Sequence, residues 1–465
     1  MIKKMLLLLL FSWCCTVNAQ TIKTDVLVIG GSPSGVAAAI QAARSKVKTI
    51  LIERDTTYLT FKKNTVHFDP DFGKIGGVAP LGNSRNLFSG IWDEFRRKFH
   101  EYHKHEKGSD TTANSSIVYD PFSGSEILNK MADSTKNLTV DSGVIFKNIK
   151  KDDDFWSLNI IQNGKTKIIR ARVVIDATRG SLIALSAGAT FQQLDSALNK
   201  AASKLYRTSI AMGDGLPWER HNDITAPADN YPPFTTFCVP IKAVIAKGAD
   251  YLLVTEALFP SSTDLQYLPR QLSIGQGVGA LAAYCAFYKA TTKNLNVRVI
   301  QGEILDYKGY LLPISDITSK DPAWRAIQQV CVTGLIKGVL KLSPHDTDMS
   351  SNGGEFLFRP DSIVTTAEIQ PVLQEIYTRA FLWFNRERPG DKFTVANTLS
   401  FISDYTLTDP AILKASIQKA WKTQFNFQSD FDLTRPITRR EFAVLANKYL
   451  NPFARTVDLN GRLVN

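Results

Sequence analysis

The sequence predicts an α/β fold with a largely parallel sheet, followed by an all-α C-terminal domain. Residues 24–54 run through an apolar strand, a Gly-rich turn, an Ala-rich helix and a second apolar strand, which is the pattern of a βαβ unit. Residues 138–180 read as a β-meander that leads into a buried strand. Beyond Leu312 the alternation of strands and glycines stops, and helical patterns follow.

Residues 1–19 have the features of a secretory signal peptide. Lys3 and Lys4 precede an apolar run over residues 5–15, and Val17-Asn18-Ala19 offers a small-x-small cleavage site. We therefore expect cleavage after Ala19 and an exported mature protein, either periplasmic or associated with the cell envelope. The apolar run is too short to remain as an anchor, and no later segment reaches the roughly 20 apolar residues of a transmembrane helix.

The formal net charge of +11 is spread along the chain without a long basic block. Such an excess favours acidic partners such as anionic glycans or phospholipid surfaces, or it serves solubility alone. No nucleic-acid partner is predicted. The cysteines beyond the signal have no CxxC spacing, and His100, His103 and His105 fit a solvated polar face, so we predict no metal site.

The turn after the first strand has the composition of a phosphate-binding site. A strand that ends in glycines and opens a helix presents backbone N–H groups and the positive end of a helix dipole to a pyrophosphate. Gly30 allows the tight turn, Gly35 allows close packing of helix on strand, and Ser32 replaces the usual middle glycine. Glu53, 23 residues after Gly30, ends the second strand, where an acid accepts from ribose hydroxyls. The predicted dinucleotide-binding residues are Gly30, Gly31, Ser32, Pro33, Ser34, Gly35, Glu53 and Arg54.

These segments resemble the FAD-dependent oxidoreductases with a glutathione-reductase-type fold, in particular a bacterial group whose first turn often reads Gly-Gly-Thr/Ser-Pro-Ala/Ser-Gly. The resemblance extends in separate segments over residues 22–312. It implies a Rossmann-like FAD-binding domain over residues 20–312, with a β-meander and substrate-side insertions at about 84–135 and 190–245. It also implies FAD as the cofactor and a helix after Gly275 whose N-terminus faces the flavin. The further cofactor contacts it implies are Gly76, Gly77, Val144, Ala177, Thr178, Arg179, Gly275, Gln276 and Gly277.

The chain departs from this family near the flavin. Arg179 stands where Ala-Thr-Gly usually ends, and Thr255-Glu256-Ala257 replaces the usual Ala-Gly-Arg. Gln266 stands where an arginine is expected. Arg179 either reaches a phosphate or an anionic substrate, or it obstructs the site.

Residues 313–465 form the predicted helical domain, and they resemble surface-layer homology repeats. Two partial copies are visible, at 314–378 and 402–453, and a third copy is not evident. In each copy a threonine precedes a glutamate by three residues at a helix start, which is a capping box. The resemblance implies binding to a cell-envelope glycan; packing against the FAD-binding domain is the alternative.

The sequence therefore predicts an exported FAD-dependent oxidoreductase that takes a hydride from a small-molecule or carbohydrate-like substrate. It does not choose a catalytic base among His67, Tyr206, Arg207 and His221. The competing hypothesis is a non-catalytic envelope or glycan-binding protein that retains an FAD-type fold.

Overall fold

The structure is a computed structural model, which describes residues 20–54, 87–105, 121–190, 204–213, 237–255, 268–341 and 355–464. The strands are β1 (Gln20–Ile29), β2 (Thr49–Arg54), β3 (Leu138–Asp152), β4 (Phe155–Gln162), β5 (Lys165–Asp176), β6 (Ser209–Gly213), β7 (Phe237–Pro240), β8 (Leu252–Val254), β9 (Val339–Lys341) and β10 (Glu355–Leu357). The α-helices up to residue 333 are α1 (Pro33–Arg44), α2 (Gly90–His103), α3 (Pro121–Asp133), α4 (Leu182–Ser186), α5 (Leu268–Tyr288), α6 (Val297–Asp306) and α7 (Trp324–Thr333). Those that follow are α8 (Thr366–Ile376), α9 (Ala380–Glu387), α10 (Val395–Thr406), α11 (Pro410–Thr423) and α12 (Arg439–Leu445).

A parallel sheet forms the centre of the first region, by which we mean the described residues up to 312; the described residues from 313 onward are the C-terminal region. β1 lies between β2 and β5, β3 lies beyond β2, and β8 lies beyond β5, all in parallel register. Residues 26–29 of β1 are completely buried because both faces of the strand are covered. The predicted α/β fold is confirmed.

The predicted β-meander is also present. β3 is long, and its second half pairs antiparallel with β4, which in turn pairs antiparallel with β5. β5 then continues into the parallel sheet beside β1, so that the meander delivers Asp176 to the carboxyl edge of the sheet.

Helices α1 and α5 pack closely through two glycines. A Cβ at Gly275 would lie 2.1 Å from the carbonyl oxygen of Ser34, and one at Gly279 would lie 2.3 Å from that of Ala38. Only glycine permits this approach of two backbones. α5 begins at Leu268, so the expectation of a helix that starts after Gly275 was wrong.

The C-terminal region is mainly helical, with one small antiparallel pair between β9 and β10. Three short segments, each directly before a helix, close a ring of backbone hydrogen bonds. Val364 N donates to Ile437 O (3.0 Å), Ile437 N to Phe393 O (2.9 Å), and Phe393 N to Val364 O (3.0 Å). We call this arrangement the three-segment ring.

The ring adds a third copy of the capping pattern to the two that the sequence showed. Thr365, Thr394 and Thr438 are the N-caps of α8, α10 and α12, and each accepts from the backbone N–H three residues later. The third copy of the capping pattern is thus Thr394 with Asn397. It was missed because asparagine takes the place of glutamate there, although its side chain completes a capping box as Glu441 does with Thr438. At Thr365 only the threonine half of the predicted box forms, and Glu368 pairs with Arg439 instead.

In the parts of the chain that the structure describes, no helix combines the length and apolar character needed to cross a bilayer.

Candidate cofactor site

The carboxyl ends of four strands meet at one edge of the parallel sheet. Gly30 N donates to Ile52 O of β2 (2.9 Å), and Ala177 N, after β5, donates to Ile29 O of β1 (2.8 Å). Thr255 N, after β8, donates to Asp176 O (3.1 Å). Ligands of open parallel sheets bind outside this edge, where the connections diverge to opposite faces.

Gly30 and Gly35 both bring backbone close to other backbone. Gly30 has φ +112°, and a Cβ there would lie 2.5 Å from the carbonyl oxygen of Ala177. A Cβ at Gly35 would lie 2.2 Å from Gly30 O and 2.7 Å from the Cβ of Ala177. The structure thus gives the two glycines the geometric roles that the sequence predicted, a tight turn and close packing of α1.

Gly31 and Glu53 form a small cradle beside the turn. A Cβ at Gly31 would lie 2.1 Å from Glu53 Oε2, so the carboxylate lies directly against a backbone that carries no side chain. An acid at this place suits ribose hydroxyls, and the bare backbone suits an approaching pyrophosphate. The residues therefore fit an adenosine diphosphate moiety such as that of FAD.

Ser32, in the place of the usual middle glycine, serves as the N-cap of α1. Its Oγ accepts from Gly35 N (3.2 Å) and lies 3.0 Å from Ser34 Oγ. Ser34 Oγ then donates to Thr255 Oγ1 (2.9 Å). Pro33 occupies the first helical position, where its missing N–H costs nothing. The departure at Thr255 therefore supplies a hydroxyl that ties the end of β8 to the start of α1.

Asp176 organises the loop that follows β5. Its Oδ1 accepts from Thr178 N (2.9 Å) and Thr178 Oγ1 (2.5 Å), and its Oδ2 accepts from Ala184 N (2.7 Å). Burial raises the pKa of the Asp176 carboxyl, against the lowering effect of these hydrogen bonds. Sequence reasoning missed this role of Asp176, for which the signal was an acid directly after the apolar run of residues 173–175 at the end of β5.

The same loop carries Arg179. The backbone of Arg179–Ser181 forms a single 3-10 turn, with Gly180 at φ +70°. Ala177 lies against Gly30 and Gly35. Arg179 therefore follows closely upon the residues that contact the first turn. Its side chain, like that of Arg54, lies outside what the structure describes.

Gly275, Gln276 and Gly277 all contact protein. Gln276 Nε2 donates to Gln41 Oε1 (3.1 Å) and Tyr307 O (3.2 Å), while its Oε1 accepts from Ile91 N (3.1 Å). A Cβ at Gly277 would lie 2.4 Å from Ile210 O. Helix packing explains these residue types, and a cofactor role for them stays a prediction.

The remaining predicted site residues have different outcomes. Val144 is buried in β3, opposite the backbone of Arg54. Several predicted residues lie outside the described part of the chain: Gly76, Gly77, His67, His221, Glu256, Ala257 and Gln266.

Tyr206 and Arg207, two candidates for the catalytic base, lie where the first region meets the C-terminal helices. Arg207 is buried and forms a bidentate ion pair with Glu375 of α8 (2.8 and 2.9 Å). Burial raises the pKa of Tyr206, whose hydroxyl lies against Gly334. Their contacts hold two regions together.

Residues 25–204 match the family model described as FAD dependent oxidoreductase. This segment contains the first turn, Glu53, and the loop after β5. The protein is an FAD-dependent oxidoreductase, and its cofactor is FAD. The match does not extend to the C-terminal region.

No curated protein matches this FAD-dependent oxidoreductase. Among solved structures, it is similar to p-nitrophenol 4-monooxygenase from Pseudomonas putida DLL-E4, with 12% identity over 66% of this chain and 92% of that one and a TM-score of 0.34. It is also similar to L-proline dehydrogenase from P. horikoshii, with 15% identity over 35% of this chain and 25% of that one and a TM-score of 0.19. Aklavinone-11 hydroxylase, in a complex with FAD and aklavinone, has 15% identity over 36% and 35% and a TM-score of 0.24. Likeness at this level identifies no substrate.

Proposed function

We propose that the protein is an exported enzyme that takes a hydride from a small-molecule or carbohydrate-like substrate and passes the electrons to a separate acceptor. The observation that supports this proposal is the cradle of Gly31 and Glu53, which lies beside the tight turn at Gly30 on the carboxyl edge of the sheet. When bound, FAD supplies the redox chemistry, and the protein supplies position and electrostatics.

The residues of this chain have distinct tasks in that proposal. The N-terminus of α1 binds the pyrophosphate through backbone N–H groups, helped by the absence of an acid in its first turn. Glu53 accepts from the ribose hydroxyls. Asp176 holds the loop of Thr178 and Arg179 at the same edge, where a cation suits a phosphate or an anionic substrate.

The proposal is tested by purifying the mature protein and measuring bound flavin. We expect a yellow protein, or a colourless one that binds added FAD in calorimetry. Anaerobic bleaching of the flavin absorbance is then measured against sugars, amino acids and hydroxy acids, and we expect one class to reduce it. A protein that never binds FAD supports the non-catalytic alternative instead.

Arg179→Gly separates two roles of that arginine. Tighter FAD binding in the variant means that Arg179 obstructs the site. Retained flavin with lost substrate-dependent bleaching means that Arg179 binds the substrate. Unchanged FAD binding and unchanged bleaching would remove Arg179 from the proposal.

Export is proposed from the features of residues 1–19. Cleavage after Ala19 would leave β1, Gln20–Ile29, in the mature chain. N-terminal sequencing of protein from the periplasmic or envelope fraction should start at Gln20. A cytoplasmic protein that starts at Met1 would contradict export.

We also propose that the C-terminal region binds a cell-envelope glycan. The three-segment ring supports this second function, because it joins three capped helix starts where the sequence showed two partial copies. Full-length mature protein should sediment with purified cell-wall glycan. Prior addition of soluble glycan should prevent this sedimentation. Equal sedimentation with a neutral polysaccharide such as cellulose would contradict a specific role.

A further inference from the structure

A second cleft lies apart from the cofactor edge. It has a volume of about 690 Å³ and is formed by separate parts of the chain: the end of β3, residues 242–250, the connection between α5 and α6, and the tail at 458–460. A volume of this size is within the range of small-molecule sites, which lie preferentially between structural units.

The cleft lies apart from the candidate cofactor site. Asp250 lines the cleft and stands just before the amino end of β8, whereas Thr255 follows the carboxyl end of the same strand. Trp156 Nε1 donates to Asp250 O (3.1 Å), which fixes this wall to the meander. A ligand here therefore lies at the opposite edge of the sheet from the Gly-rich turn.

The cleft is lined by four lysines and two aspartates. Lys293 is 3.6 Å from Asp250, and Lys242 bonds to the neutral side chain of Asn460. Within the described ranges, Lys151 and Lys247 have no carboxylate partner. Lys151 instead lies 5.6 Å from the ring centroid of Tyr251. The lysines thus leave an excess of positive charge.

The second aspartate is committed to the tail itself. Asp458 Oδ1 accepts from Asn460 N (2.8 Å) and Arg462 N (2.9 Å), which shapes the turn that closes one side of the cleft. These backbone hydrogen bonds lower the pKa of Asp458 despite the opposing effect of desolvation. Its charge therefore serves the turn rather than the neutralisation of the lysines.

We propose that this cleft is a binding site for a ligand that carries two or more phosphate or sulfate groups. Lysine ammonium groups act as point charges for such oxyanions. Several lysines from different segments favour a multivalent anion over a monovalent one. A free oligophosphate and a sulfated sugar share this chemistry, and the experiment distinguishes them.

The test uses FAD-loaded, full-length mature protein, so that the cofactor site is already filled. Tripolyphosphate and a heparin-derived tetrasaccharide are titrated separately by calorimetry at low ionic strength, together with the variant K247Q/K293Q. We expect at least one probe to bind and the variant to weaken that binding about tenfold, with the effect shrinking in salt.

The matched control is K136Q/K165Q, which removes the same charge from exposed lysines elsewhere in the first region. Lys165 lies at the opposite end of β4 from Lys151. The control should bind within about twofold of the unmodified protein. Binding of the tetrasaccharide alone assigns the site to a glycan, and binding of tripolyphosphate alone assigns it to a free phosphate ligand.

Two results would overturn the proposal. One is the absence of heat with either probe. The other is an equal loss of binding in both double variants, which would mean a general attraction to a basic surface. Circular dichroism of both variants checks that they are folded.

Discussion

The first turn of α1 and the three-segment ring both place helix N-termini where several segments meet, but they treat those N-termini differently. At α12, Thr438 and Glu441 cap each other's backbone N–H groups, and Thr394 and Asn397 do the same at α10. At α1 the corresponding third residue is Gly35, which has no side chain to return, and the first turn contains no acid.

This difference teaches how to recognise a helix end that is available to an anion. A capping box satisfies orphan donors within the chain and adds a negative charge that repels a phosphate when the third residue is glutamate. A glycine at the third position leaves both the space and the positive potential to a ligand. The helix N-termini of α10 and α12 in the ring are therefore satisfied within the chain, whereas the turn at α1 is available to an anion.

The largest effect is expected from a substitution that disrupts the Gly-rich turn before α1. Gly30→Ala places a Cβ 2.5 Å from Ala177 O at φ +112°, so we expect a loss of about 3 kcal/mol or more in the free energy of unfolding, with loss of bound FAD. Urea unfolding and flavin absorbance measure both. Gly164→Ala, at φ +72° with open space around it, should cost only about 1 kcal/mol. Equal costs would mean that contact with Ala177 is unimportant.

The next largest effect is expected from a substitution at Arg439, the residue that follows the N-cap of α12 in the three-segment ring. Arg439 is buried, and it donates to Phe358 O (2.6 Å) and Lys337 O (2.5 Å) and pairs with Glu368. Arg439→Ala should lower the free energy of unfolding by about 3 kcal/mol, because it leaves the buried carbonyl of Phe358 and the part-buried carboxylate of Glu368 without this donor. FAD binding should persist, which distinguishes the two regions. The exposed Arg386, changed to Gln, should have little effect; a similar loss there would contradict this account.

A smaller effect concerns the cradle. Glu53→Ala should weaken FAD binding by about 2 kcal/mol through the loss of charge-assisted hydrogen bonds to the ribose. Calorimetric titration of the apoprotein measures this. Asp25→Ala, at the amino end of the strand pair, is the control and should bind FAD normally. Unchanged affinity in Glu53→Ala would place the ribose elsewhere.

The smallest effect concerns the contact between the two regions. Arg207 lowers the pKa of Glu375 to about 2, below its ordinary value of 4.5, so the pair stabilises the fold above pH 4.5 and loses this contribution as pH falls towards 2. Glu375→Gln should cost about 1 kcal/mol at pH 7, a reduced figure because the carboxylate is 29% exposed.

Urea unfolding at pH 7, 5 and 3 checks both parts of that expectation. The difference between the two proteins should be constant from pH 7 to 5 and should shrink at pH 3, where the carboxylate of the unfolded chain is already protonated. A difference that grows at pH 3 would contradict the ion pair as its cause.

Local patterns predicted much of the fold and the core of the site. The strands, the meander, and the places of Gly30, Gly35 and Glu53 follow from short-range periodicity and backbone sterics, which a few neighbouring residues determine. The start of α5 was missed, because glycines inside a helix suggest a boundary when the packing partner is unseen. The third copy at Thr394 was missed because its chemistry was carried by a different residue type.

Sequence alone predicted the βαβ unit over residues 24–54 and its Gly-rich turn, because those geometric demands act on adjacent residues. Only the tertiary structure revealed that Thr255 bonds to Ser34 across 221 residues, and that Arg207 pairs with Glu375 across 168. Such contacts depend on how sheet edges and helices pack in space. The number of residues between two positions carries no information about how far apart they lie in the folded protein. The same holds for the ring, whose three segments are recognised as equivalent only when their backbone hydrogen bonds close.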